Sequence, residues 1–339
     1  MSSSVRSVIS QPPHPHLKLL DHEVEKTSTI KSVPIFTHNI EEKLPKTERP
    51  DQYGLLASNT SGLGSSSRPA SSTEQLKSRL FYNVAAPTST FICGSQGSGK
   101  SHTLGTILEN CLISSKANHL LRPLAGLVFH YDTFVSDTGG TPCEAALFLE
   151  REPTIGRVVA LDEAHKYMND SSDSQTLTES LLSVIRLQRH LGTRVILSTQ
   201  EPTVSPKLLD LCSTVIVHRF TSPTWFATLK RHLAGVYLVS EADSKICNRE
   251  MVNSTNAEKN NDVLGSFSRL NVKDEDLFSH IVGLETGEAL LFCPSALIDI
   301  RATGACNSKS SLIQLGSSAM KVHIRKRITA DGGQSVMAN

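Results

Sequence analysis

Phe91-Ile92-Cys93-Gly94-Ser95-Gln96-Gly97-Ser98-Gly99-Lys100-Ser101 runs from three apolar residues straight into the pattern G-x-x-x-x-G-K-[ST]. After it, Leu104, Ile107, Leu108, Cys111 and Leu112 repeat at helical spacing. A strand, a glycine-rich loop and a helix in that order form a phosphate-binding unit. Glycines let successive backbone N–H groups turn inward, and the helix N-terminus adds partial positive charge. Gly94, Ser95, Gln96, Gly97, Ser98, Gly99, Lys100, Ser101 and the following His102 are therefore the expected nucleotide-binding residues. Lys100 faces the β and γ phosphates in this reading, and the Ser101 hydroxyl is a ligand for Mg²⁺. A chance glycine-rich turn would lack the flanking strand and helix.

Four more apolar strands follow at intervals that leave room for helices: Gly126–Tyr131, Arg157–Asp162, Arg194–Thr199 and Thr214–Arg219. Leu177, Leu181, Leu182, Val184, Ile185 and Leu187 predict a helix, capped by Asp173 or Ser174 and closed at Gly192. Ser222-Pro223 opens another, which places Trp225 and Phe226 in the core. Strands alternating with helices specify a parallel sheet covered on both faces.

Val158-Val159-Ala160-Leu161 ends in Asp162-Glu163. An aspartate at the C-terminal end of such a strand lies near the glycine-rich loop and can hold Mg²⁺. Glu163 then orients and deprotonates the water that attacks the γ-phosphorus. Acidic residues are also ordinary in surface turns, but a glycine-rich phosphate loop some sixty residues upstream favours the catalytic reading of this pair. The second carboxylate favours hydrolysis over transfer to a small molecule. Arg194 to Gln200 reads as an apolar strand with a polar tip. In a parallel sheet of order 5-1-4-3-2 Gln200 would face the γ-phosphate and could sense hydrolysis, the alternative being a polar residue that merely ends a strand.

Composition sets the outer limits. Lys plus Arg number 34 against 33 Asp plus Glu, so a basic surface for nucleic acid has to be local. No apolar run is long enough to cross a bilayer, and no membrane partner is expected. The 7 cysteines include no C-x-x-C pair, which points to reduced thiols. With Pro and His near the N-terminus in place of an apolar stretch, an intracellular, reducing compartment is expected, cytoplasm or nucleus. Residues 1–75 are rich in Ser, Pro and charge and read as a disordered arm and linker, with a short strand near Val33–Phe36 as an option. Residues 76–300 read as the ATPase domain and 301–339 as a β extension and tail. In that extension Lys321, His323, Arg325 and Arg327 alternate with Val322, Ile324, Lys326 and Ile328. The basic face suits an edge strand protected by charge, or contact with nucleic-acid phosphates. Asn248–Asp262 reads as a polar surface loop.

Three elements together resemble the HerA/FtsK superfamily of P-loop ATPases, especially its HerA-like branch. They are Gly94–Ser101, Leu161-Asp162-Glu163-Ala164-His165 and Ser198-Thr199-Gln200-Glu201-Pro202, with further matches at Leu209–Cys212, Val215–Arg219 and Thr286-Gly287-Glu288-Ala289. Glu201 stands where the family usually has arginine. The resemblance covers about residues 80–300. It implies a three-layer α/β core of the RecA/ASCE type, with a mainly parallel sheet of order 5-1-4-3-2 and a small C-terminal β extension. It also implies ATP and Mg²⁺ as cofactors, a homo-oligomer that can be a ring, and DNA as a possible partner. Arg189 resembles the family's arginine finger and Arg219 matches a second arginine at the end of strand five; both join Glu163 and Gln200 as catalytic candidates. Asp162-Glu163-Ala164-His165 also spells the DEAH box of superfamily 2 helicases, but too little chain follows Thr199 for their second domain. Two functions remain: an ATP-driven motor on DNA, and an ATP-dependent switch or scaffold without translocation.

Overall fold

The computed structural model describes residues 26–60, 71–130, 156–168, 171–201, 204–233, 274–302 and 310–329. Their strands form one mixed sheet. Its parallel half contains β4 (Ser89–Cys93), β6 (Ala125–Phe129), β7 (Arg157–Leu161), β8 (Thr193–Thr199) and β9 (Thr214–Val217). They lie side by side as β9-β4-β8-β7-β6, all parallel. Numbered in chain order, these five strands stand 5-1-4-3-2.

The strands of this half are short apolar runs because both faces are covered. Ile92, Ile196 and Ile216 face one core cluster, beneath helix α4 (Lys100–Leu112). Their neighbours Phe91, Val195, Leu197, Val215 and Val217 face the other, with Leu181, Leu182 and Ile185 of helix α5 (Ser172–Arg186) and Leu208 and Leu209 of α7 (Pro206–Leu211). The result is three layers. Ser171, not Asp173 or Ser174, caps α5, its hydroxyl accepting from the Ser174 N–H at 3.3 Å. The chain continues through α6 (Gln188–Leu191) before Gly192, with φ 58°, ends the helical stretch. Ser222 caps α8 (Pro223–Lys230), and Trp225 and Phe226 pack, half-buried, on the second cluster.

The other half of the sheet corrects the sequence reading. Within the stretch assigned to a disordered arm, residues 26–60 form α1 (Lys26–Ser32), β1 (Ile35–Thr37), α2 (His38–Lys43) and β2 (Tyr53–Asn59). These elements dock against β3 (Arg79–Asn83) and β11 (Leu297–Ala302). Ile30, Val33, Phe36, Ile40 and Leu44 close a third cluster with Phe81 and Leu297. A few apolar residues dispersed among Ser, Thr and charge were enough, because distant strands complete their core. Residues 1–25 and 61–70 of the assigned arm, and the loop assigned to Asn248–Asp262, lie outside the described residues.

The C-terminal strand is corrected as well. β13 (Met320–Ile324) is an inner strand, antiparallel to β10 (Glu288–Phe292) on one side and to β2 on the other. It is neither a peripheral extension nor an edge. β10 in turn pairs antiparallel with β9 and so splices the two halves together. The sheet taken whole is therefore mixed: the half that carries the glycine-rich loop is parallel throughout, and the other half is antiparallel except where β1 pairs parallel with β11. Among the described residues, Cys93, Cys111, Cys212 and Cys293 are free thiols, and no helix is long and apolar enough to cross a membrane.

Candidate functional site

β4 delivers the chain into the glycine-rich loop at the C-terminal end of the parallel strands. Gly99, at φ 108°, is the N-cap of α4, a left-handed conformation that strains any other residue. Gly94 has no room for a side chain: a Cβ there would meet the His218 Cβ and the Ser98 hydroxyl at 2.7 Å. Ser95 is pinned from below, its N–H and hydroxyl both donating to the Arg219 carbonyl at 2.9 and 2.8 Å. The Ser98 hydroxyl donates to the Ser95 carbonyl at 2.7 Å. The end of β9 thus braces the loop.

Beneath the loop His218 is fully buried. Its Nδ1 lies 2.9 Å from the Glu288 carbonyl and its Nε2 2.8 Å from the Thr103 hydroxyl. The carbonyl can only accept, so Nδ1 carries the proton and Nε2 takes the threonine's. Burial pushes this imidazole down to about 4, with Lys100 and His102 adding to the effect. A neutral ring ties the end of β9, helix α4 and β10 into one platform.

Lys100 is only 4% exposed and donates from Nζ to the Ser95 carbonyl at 3.1 Å. Burial lowers its pKa, opposed by the negative charges of Glu163 and Asp162. Asp162 follows directly on β7, which β8 separates from β4 in the sheet. Burial pushes its carboxyl up, but hydrogen bonds, first among them that of His130, hold it below the ordinary value. His130 Nδ1 is 3.3 Å from Asp162 Oδ2. A charged carboxylate thus sits beside the lysine.

Glu163 is the one non-glycine residue among the described residues with positive φ, at 52°. Such strain accumulates where a side chain must be aimed. Gln200, one residue past β8, donates from Nε2 to Glu163 Oε1 at 2.9 Å. Glu163 Oε2 is buried without a hydrogen bond, 3.5 Å from His165 Nδ1. That imidazole nitrogen is 3.2 Å from the Thr199 hydroxyl. Side chains from two adjacent strand ends therefore hold Glu163 in one place.

These residues open on a cleft of about 480 Å³. Gln96, Gly97, Gly99, Lys100, Ser101, His102, Glu163 and Gln200 line it. Gly94, Ser95 and Ser98 support it from behind, and Asp162 lies below, 6% exposed. Arg189 and Arg219 do not line it; both are exposed. Pro202 lies outside the described residues.

The opposite wall was absent from the sequence-based site. It consists of Thr286 and Gly287 with His323, Ile324, Lys326 and Arg327. Glu109 of α4 anchors it. Its carboxylate, 1% exposed as a residue, accepts from Arg325 Nη1 at 2.7 Å and from the N–H groups of Ile328 and Thr329 at 3.0 and 3.1 Å. Arg327 Nε approaches at 3.5 Å. Burial pushes this carboxyl up, but the Thr329 and Arg325 bonds hold it below the ordinary range. The supposed basic face is therefore spent internally, since Lys321 also pairs with Glu288 at 2.8 Å. One signal was readable: Glu109-Asn110 is a polar pair inside the apolar stretch Ile107–Leu112.

No family model matches the chain, and no curated protein matches it. Among solved structures it is similar to the genome packaging NTPase B204 from Sulfolobus turreted icosahedral virus 2 in complex with ATP-gammaS, at 11% identity over 70% of this chain and 96% of that one, with a TM-score of 0.35. It is also similar to ATPases 2 and 3 of EssC from Geobacillus thermodenitrificans, at 13% identity over 81% and 44%, TM-score 0.38. A third is the pCW3 conjugation coupling protein TcpA, in monomer form with ATPgS, at 14% identity over 60% and 64%, TM-score 0.36. TM-scores of this size support no transfer of function, so the chemistry rests on the residues of the cleft.

Proposed function

We propose that the chain is a P-loop ATPase with a RecA/ASCE-type core of HerA/FtsK character, which binds and hydrolyses ATP. The observation that carries this reading is the convergence of Lys100, Ser101, Glu163 and Gln200 on one cleft at the C-terminal ends of β4, β7 and β8. In this reading the loop N–H groups and Lys100 hold the phosphates. A hydroxyl and a charged carboxylate are hard oxygen donors, so Ser101 and Asp162 suit Mg²⁺, which when bound offsets charge on the β and γ phosphates. Glu163 accepts a proton from water as its oxygen bonds to the γ-phosphorus. The bond from phosphorus to the bridging oxygen breaks, and ADP leaves with those electrons. Gln200 keeps the base aimed and registers whether the γ-phosphate is present.

Arg189 lies before β8, whereas Gln200 follows it. A seven-residue strand separates them by about 23 Å. Arg189 can then reach phosphates only in a second copy, which supports an assembly of copies with arginine acting between them. Arg219 lies at the loop's own end of the sheet. Movement on DNA is the outcome such an assembly would drive.

Three measurements test this: ATP turnover, its change with added DNA, and mass with and without ATP. Lys100→Ala should lose ATP binding or turnover. Wild-type turnover from that variant would end the ATPase reading. A monomer whose turnover ignores DNA would end the motor and leave a nucleotide-dependent switch.

A further inference from the structure

Resting on the ATP reading, we propose that Lys326 is a nucleotide-binding residue, and that it takes the α-phosphate end of the nucleotide. Glu163 and Gln200 mark the γ end of the cleft. His102 follows Ser101 on the first turn of α4 and marks the other end. Its Nε2 donates to the Arg325 carbonyl at 2.7 Å, so residues 325–327 lie against the nucleoside side. Lys326 lines the cleft there and is exposed. No ion pair engages its ammonium among the described residues, whereas Arg325 and Arg327 are committed to Glu109.

Exposure along the segment after β13 shows the division of labour. Arg325 is half-buried and Arg327 buried, both engaged with Glu109, while Lys326 between them is exposed at the cleft. The anchor is rigid: Glu109 holds both arginines and two backbone N–H groups. A cation held at a phosphate site forms a charge-assisted contact, stronger than a neutral hydrogen bond. Lys100 and Lys326 would then grip one nucleotide from the two halves of the sheet.

Calorimetric titration of the full chain with ATPγS, ADP and AMP tests the assignment. Lys326→Ala should weaken all three by a similar factor, about tenfold, because each carries the α-phosphate. Lys326→Arg should restore most of it, and in turnover KM should rise more than kcat falls. Lys100→Ala should weaken ATPγS far more than AMP. The thermal midpoint of Lys326→Ala should match wild type, since the side chain is exposed. Unchanged AMP affinity in Lys326→Ala overturns the proposal, whether or not ATPγS weakens. Failure of the wild-type chain to bind any of the three nucleotides would sink the ATP reading and this proposal together.

Discussion

The parallel half of the sheet and the mainly antiparallel half meet at one cleft but are built in different ways. In β9-β4-β8-β7-β6 each strand is followed within its own stretch of chain by the residue that lines or supports the site: Gly94 after β4, Asp162 after β7, Gln200 after β8. In the mainly antiparallel half the partners come from far apart, β1 parallel to β11 and β2 antiparallel to β13. In the proposed reading the first half supplies the groups for γ-phosphate chemistry. The second supplies a wall whose position depends on one buried carboxylate, Glu109. Chemistry and placement are thus divided between the halves, and variants should separate them.

Glu163→Gln tests the parallel half and should have the largest effect. Removing a general base costs about 10²–10⁴ in kcat. Glutamine keeps the shape and the approach to Gln200, so ATP should bind and remain unhydrolysed. Single-turnover assays with a parallel binding titration check this. If turnover survives, Glu163 is not the base.

Glu109→Ala tests the other half. It leaves Arg325 and Arg327 without their carboxylate in a buried setting, and breaking such a pair costs about 3 kcal/mol. Denaturant unfolding measures the loss. The comparison predicts weaker nucleotide binding through the displaced wall, with kcat at saturating ATP changed less than in Glu163→Gln.

The same division explains what could be read from sequence. Gly94–Ser101 and Asp162-Glu163 are legible because a local backbone shape and a local strand end suffice to define them. β1 was legible only as an optional short strand near Val33–Phe36 and β2 not at all, because their few apolar residues lie in a stretch rich in Ser, Pro and charge and gain a core only from Phe81, Leu297 and β13. The basic alternation of residues 321–327 was visible, but its acidic complement lies more than two hundred residues away on α4. Sequence periodicity cannot show that charges cancel. Lys326 differs from its basic neighbours only in its partners, and partners belong to the fold.

Acid should strain the junction of the halves before either half. The folded pKa of His218, about 4, lies below its ordinary 6.5, so as pH falls the unfolded chain takes up the proton first. Stability is therefore lost between about 6.5 and about 4, by at most ~3 kcal/mol at 1.36 kcal/mol per unit. Asp162 and Glu109 are also depressed in the fold; their contributions are present above the unfolded carboxylate values and fade only as pH falls through the lower folded ones. Urea titrations across pH should give His218→Gln a shallower loss than wild type in the upper window. Equal slopes would remove His218 from the account.

The smallest effect probes the seam itself, where two opposing costs nearly balance. Gly105 lies mid-helix in α4, and a Cβ there would meet the Arg327 guanidinium carbon and Nε at 2.9 Å. Gly105→Ala gains about 1 kcal/mol in helix propensity. It also pushes aside a guanidinium that bonds Thr329 at 2.9 Å and faces Glu109. If the wall beyond Arg327 is rigid, the displacement offsets the gain and the variant falls at or below wild-type stability by up to about 1 kcal/mol. If the wall yields, the propensity gain survives intact. A double-mutant cycle with Arg327→Ala decides between these, since removing the guanidinium should make Gly105→Ala stabilising by about its full propensity. A coupling near zero would mean that α4 does not feel Arg327, and the wall would then be anchored to α4 through Glu109 and Arg325 instead.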